Sequence, residues 1–294
     1  MTLGSFCVDH TAPGSSVDPG PYRFLFDDLP AGVPALCSVV QGLLIHALET
    51  KRYGVQLAPE RLAEVEVGTV SGMLAGVLRL DPGPLQFARP PERRWVATCH
   101  DYALLLCAML RHRGLKARVR SGFAAYLQSE RFTDHWLCEM WVPQQHRWVQ
   151  VDAQLDTVHC QSYGIRFEPC DVPADQYLTG AQAWSACRRN QLNPTLFGFR
   201  MWLGWGYLRH VLLRDAFALA QIAPLAWAPL GLPEKAEDQL QAEDMAMLDL
   251  LAALVMEDPG IDAMQQRCQG MLATGHPPDW RPWTLNDVRH LGMT

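Results

Sequence analysis

Apolar residues recur at helical spacing through Leu36, Val39, Val40, Leu43, Leu44 and Ala47, which predicts an amphipathic helix over residues 34–51. A second helical pair follows across 59–80. Residues 81–94, with Pro82, Pro84, Pro90 and Pro91, cannot be helix interior and read as an extended connection. The pattern then turns helical again through Tyr102, Ala103, Leu106 and Leu110. Thr98 is placed as N-cap, Asp101 sits in the first turn, and Arg111, His112 and Arg113 precede Gly114 at the end.

Past Gly114 the period drops to two. Residues 115–127, 134–142 and 147–153 alternate in character and are rich in aromatic and β-branched side chains, with a short turn at 143–146. They predict neighbouring antiparallel strands. Helical patterns return after Pro173, interrupted at Pro194, Pro224 and Pro229. Residues 1–30, rich in Gly, Pro, Ser and Asp, show no period and predict a surface arm. The chain therefore divides into an arm (1–30), an N-terminal helical section (31–94), a mixed core (95–172) and a C-terminal helical section (173–294) packed on that core, an α+β arrangement with a helix on an antiparallel sheet.

Composition narrows the function classes. Charged residues make up 19% of 294 and hydrophobic ones 49%, the profile of a folded globular chain. A net charge of -6 without a basic run gives no footprint for nucleic acid or an anionic membrane. The most apolar C-terminal stretch, 211–232, is broken by Arg214, Asp215, Pro224 and Pro229, so no membrane span is expected. Nine widely spaced cysteines, with no leader-like segment before them, are expected to be reduced in a cytoplasmic protein.

One of those cysteines has a setting suited to chemistry. Cys99 opens the helix that follows Thr98, where free backbone N–H groups and the positive end of the helix dipole favour a thiolate and offer one arm of an oxyanion hole. Cys107, among Leu104, Leu105, Leu106 and Met109, is expected to pack. In the run 134–141, His135 shares a strand face with Leu137, Glu139 and Trp141. In 148–152, Asp152 shares one with Gln150 and Trp148. Pairing these strands through the 143–146 turn brings His135 and Asp152 together at one end of the hairpin, giving nucleophile, base and orienting carboxylate.

Secondary expectations attach to four neighbours. Trp95 lies where its indole N–H is a candidate to complete the oxyanion hole. Asp101 is a candidate to steer an amine, although a first-turn acid is also explained by the helix dipole. Gln154 and Asp156, just past Asp152, are candidate cleft residues. His135 with Cys138, and His159 with Cys160, fall short of a zinc pattern, so no metal is expected. Gly68 to Gly72 misplaces its serine for a nucleophile elbow, and Gly204-Trp205-Gly206-Tyr207 lacks the third glycine of a dinucleotide loop, so no cofactor is expected. The Trp202, Trp205 and Tyr207 cluster reads as core.

The strings Thr98-Cys99-His100-Asp101-Tyr102, Asp134-His135-Trp136 and Trp148-Val149-Gln150-Val151-Asp152-Ala153 resemble the core of the transglutaminase-like superfamily, in particular its bacterial stand-alone members. The resemblance implies a papain-related α+β fold and a Cys99-His135-Asp152 triad acting through a thioester. It also implies an amide in a peptide, protein or small molecule as substrate, with water or an amine as acceptor. The superfamily also holds catalytically dead members, so a peptide-binding module is the alternative. The large sandwich domains of animal transglutaminases have no counterpart in this length.

Overall fold

In the computed structural model, which describes residues 16–221, 241–258 and 260–273, the period-two region forms the sheet and the 3.6-period regions surround it. Strands β3 (Ala117–Ala124) and β4 (Phe132–Val142) pair antiparallel from Ala117↔Met140 to Ala124↔Thr133. Strand β5 (Arg147–Val151) returns along the other edge of β4, in the register Cys138↔Val151. Helix α3 (Cys99–His112) lies against this sheet and is buried on nearly every side, from His100 to Arg111. The fold is α+β, with the cysteine-bearing helix on the sheet as the sequence predicts.

Before α3 the chain departs from its periodicity. The helix expected over 34–51 stops at Leu43 (α1, Val33–Leu43), and Leu44–His46 form strand β1, parallel to β2 (Trp95–Ala97). Tertiary contact ends the helix. The Arg89 N–H donates to the Gly42 carbonyl at 2.9 Å, and Ala88 approaches so closely that a Cβ on Gly42 would meet its Cα at 2.9 Å. Helix α2 (Val70–Leu80) then carries Gly76 directly beneath the Trp95 ring, where a Cβ would fall 1.9 Å from the nearest ring carbon. The expected arm is also more embedded than its composition suggests. Gly20–Phe26 form a short 3-10 helix, and Val17, Phe26 and Leu29 are buried in the core. Residues 1–15 of the arm lie outside the described residues.

The connection over 81–94 wraps around one buried guanidinium. Arg89 donates to the carbonyls of Pro84 (2.6 Å), Phe87 and Gly83, so three carbonyls of the irregular stretch ahead of the short 3-10 helix Pro91–Arg93 find a partner. This holds the approach to β2 and α3.

Among the described residues five helices follow the hairpin: α4 (Thr157–Tyr163), α5 (Gly180–Arg188), α6 (Trp205–Leu219) and, after the stretch containing Pro224 and Pro229, α7 (Ala242–Glu257) and α8 (Ile261–Ala273). Three strands too short for periodicity to reveal extend the sheet. They are β6 (Tyr177–Thr179) on β3, β7 (Phe197–Phe199) parallel to the start of β4, and β8 (Trp202–Leu203) on β7. Along one edge of β4, β7 takes residues 132–133 and β5 takes 138–142. Between them, 134–137 have no strand partner on that edge among the described residues, and His135 stands in this gap.

A chain of buried charges ties α6 to the sheet. Glu139 accepts from Arg118 Nε (2.7 Å) and Arg120 Nη1 (3.0 Å), while Arg120 makes a second, two-pronged pair with Asp215 (2.7 and 2.8 Å). The Arg118 guanidinium also lies 3.9 Å from the Trp148 ring centroid.

Candidate active site

The local chemistry at the head of α3 fixes Cys99 in place. The Thr98 N–H and hydroxyl both donate to Asp101 Oδ2, at 2.7 and 3.0 Å, and the Asp101 N–H returns to the Thr98 carbonyl at 3.0 Å. Burial pushes the Asp101 carboxyl up to about 6, against the pull of those Thr98 hydrogen bonds. Asp101 is thus engaged in capping the helix, and the amine-steering role considered for it finds no support in its contacts. Cys99, in the first helical position, is partly exposed, and the first N–H groups of the helix have no intrahelical acceptor.

The register Cys138↔Val151 places Asp152 diagonally across from His135, and His135 Nε2 lies 2.8 Å from Asp152 Oδ2. With Nε2 so engaged, Nδ1 is the ring nitrogen left for the sulfur. The carboxylate is held from every direction: Tyr126 OH donates to Oδ2 at 2.6 Å, the Gln154 N–H donates to Oδ1 at 3.0 Å, and the Asp152 N–H donates to the Pro169 carbonyl at 2.9 Å. Burial alone would lower the His135 pKa, but the Asp152 charge and hydrogen bond outweigh it. The nearby Cys99 sulfur adds to the effect by hydrogen bond and charge, and the imidazole is lifted from 6.5 to about 10. Burial likewise opposes ionisation of Asp152, yet His135, Tyr126 and Gln154 hold its carboxyl below the ordinary range.

These shifts set a pH dependence of stability. The His135 contribution is complete below its ordinary pKa of 6.5 and is lost as pH rises through about 10. The Asp152 contribution is complete above its ordinary 3.8 and is lost as pH falls through its lowered value. Urea midpoints are therefore expected to fall between pH 6.5 and 10, and His135→Gln is expected to flatten that slope. A midpoint slope identical in both proteins would contradict the raised imidazole.

Around this centre lies a layer not anticipated from the sequence. Trp136 is flanked by the His100 ring, 4.3 Å between centroids, and by the Arg214 guanidinium, 5.5 Å from its own centroid. Arg214 Nη2 donates to Asp134 Oδ2 at 2.6 Å, and Tyr207 OH donates to the same oxygen at 2.7 Å. Residues on both sides of His135 are thus fastened to α6, and one of them rests on the neighbour of Cys99. A cue was available, since Arg214 and Asp215 are adjacent opposite charges inside an apolar run, a pattern that buried pairing explains. Tyr207, read as core, is partly buried against Phe123 and directs its hydroxyl to Asp134.

Trp95 is held by the hydrophobic core. Its ring packs over Gly76 of α2 within the hydrophobic core, because the strand β2 that carries it is buried on all three residues. Gln154 contributes its backbone N–H to Asp152 rather than a side-chain contact, and its Oε1 is buried without a partner among the described residues. Asp156 belongs to a separate cluster, accepting from Tyr53 OH at 2.6 Å and lying 2.9 Å from His159 Nδ1. Among the described residues no group of three or more His, Cys, Asp or Glu side chains is arranged to hold a metal ion, and no helix is long and apolar enough to cross a membrane.

A family model described as the transglutaminase-like superfamily matches residues 81–153, the stretch from the Arg89-centred connection to the residue after Asp152. That superfamily consists in general of cysteine-dependent acyl-transfer and protease-like proteins. Comparison with curated proteins and with solved structures gives no match.

Proposed function

We propose that the protein is a cysteine-dependent acyl-transfer enzyme acting on an amide through Cys99. The observation that carries this reading is the buried His135–Asp152 pair at 2.8 Å, with the Cys99 sulfur at the N-terminus of α3 near enough to help raise the imidazole's pKa. In this scheme Cys99 attacks the amide carbonyl while His135 holds the thiol proton. Helix N–H groups at Cys99 steady the oxyanion, and His135 protonates the departing amine as the thioester forms. Water then releases an acid, or an amine forms a new amide, with His135 taking the proton from either. A peptide, protein or small amide is the substrate class.

Mildly acidic iodoacetamide labelling separates this reading from a peptide-binding module. Cys99 is expected to be modified ahead of Cys160, which is also partly exposed and serves as an internal control. Cys99→Ala is expected to remove the fast phase. Intact-mass screening with peptides and amines should then detect an acyl adduct on Cys99. Equal, slow labelling of Cys99 and Cys160, with no adduct, would mean the cleft binds without reacting.

A further inference from the structure

Away from Cys99, a cleft of about 510 Å³ runs between α1, α4 and the segment that follows α4, and three of its lining residues are Cys37, Cys160 and Cys170. Two of these are partners. The sulfurs of Cys37 and Cys170 lie 3.9 Å apart, one on α1 and the other 133 residues later in the chain. Forming a bond of about 2.05 Å requires them to close by roughly 1.9 Å, a displacement on the scale of a side-chain rotation.

We propose that Cys37 and Cys170 form a redox-active dithiol that is oxidised to a disulfide by a small-molecule disulfide entering this cleft. The two thiols have unequal roles. Cys170 is half-buried and faces the cleft, while Cys37 is almost fully buried beneath it. A reagent in the cleft meets the Cys170 sulfur before the buried Cys37 sulfur, so Cys170 is the attacking thiolate. It displaces one thiolate from the incoming disulfide, breaking that S–S bond and leaving a mixed disulfide on Cys170. Cys37 then attacks the Cys170 sulfur, its proton passing to the second departing thiolate. The protein loses two electrons and two protons, and the reagent is reduced to two thiols.

Cys160 stands apart from the exchange. Burial and the carboxylates of Asp156, Asp152 and Glu168 raise its pKa, and its sulfur is turned to the Leu155 carbonyl at 3.8 Å. The cross-link would fasten α1 to the segment whose Pro169 carbonyl accepts the Asp152 N–H, so the dithiol sits one residue from a support of the candidate triad.

Incubating the folded wild-type protein with oxidised glutathione, followed by non-reducing digestion and mass mapping, tests the assignment. The expected product is one peptide pair joined through Cys37 and Cys170, two hydrogens lighter than the sum of its two free peptides. Cys37→Ser should instead stop at a stable glutathione adduct on Cys170, and Cys160→Ser should leave the cross-link unchanged. A persistent glutathione adduct on wild-type Cys170, a cross-link through Cys160, or free thiols at both positions would each overturn the proposal.

Discussion

Replacing Asp152 by Asn is expected to drop the His135 titration from about 10 to below its ordinary 6.5 and to cost about 10⁴-fold in acyl transfer. The sign follows from the balance at the imidazole. Burial is the largest influence on His135 and lowers its pKa; the Asp152 charge is what reverses it. An amide of the same shape keeps a hydrogen-bond partner for Nε2 but removes the charge, so burial prevails and the ring is neutral at pH 7. A neutral ring no longer stabilises a neighbouring thiolate, and rapid labelling of Cys99 should disappear along with turnover. Heteronuclear NMR of the histidine ring gives the pKa directly, and circular dichroism confirms that the fold persists. A ring still titrating near 10 in the variant would show that Asp152 does not control it.

The second large effect concerns the charges beneath the sheet. Asp215→Asn is expected to destabilise the protein by about 3–5 kcal/mol in urea unfolding, because Arg120 would be left buried with only a shared claim on Glu139. Desolvation is the deciding quantity. Arg120 and Asp215 are both almost wholly removed from water, and a lone guanidinium there has no solvent to fall back on. Pairing Asp215→Leu with Arg120→Met removes both charges at once and should recover most of the loss. If the single substitution shifted stability by less than 1 kcal/mol, water would have to be reaching this pair.

How far the sequence disclosed the molecule depends on the range of the interactions involved. Cys99, His135 and Asp152 were legible because each is placed by local pattern: a capped helix start, a period-two run and a hairpin of definite register. The surroundings of the site were not, because they come from distant segments. Tyr126 reaches Asp152 from the far end of β3, and Arg214 reaches Asp134 across 80 residues. The same holds for the fold. Strand β1 was hidden inside a helical period because Gly42 is met by Ala88 and Arg89, contacts that no window of sequence contains. Strands β6, β7 and β8 span two or three residues each and exist only through partners already in the sheet.

The reach of α6 across the sheet also bears on the order in which the chain matures. A ribosome extending the polypeptide from its N-terminus completes the nucleophile, the imidazole and the carboxylate well before it makes Arg214 and Asp215. A nascent chain released at that stage would hold Arg120 and Asp134 without their α6 partners, and the strand bearing His135 would lack its anchor on one side. Competence therefore arrives late in translation, and excision of residues 81–153 alone should give a fragment that carries the chemistry's side chains without a scaffold able to align them.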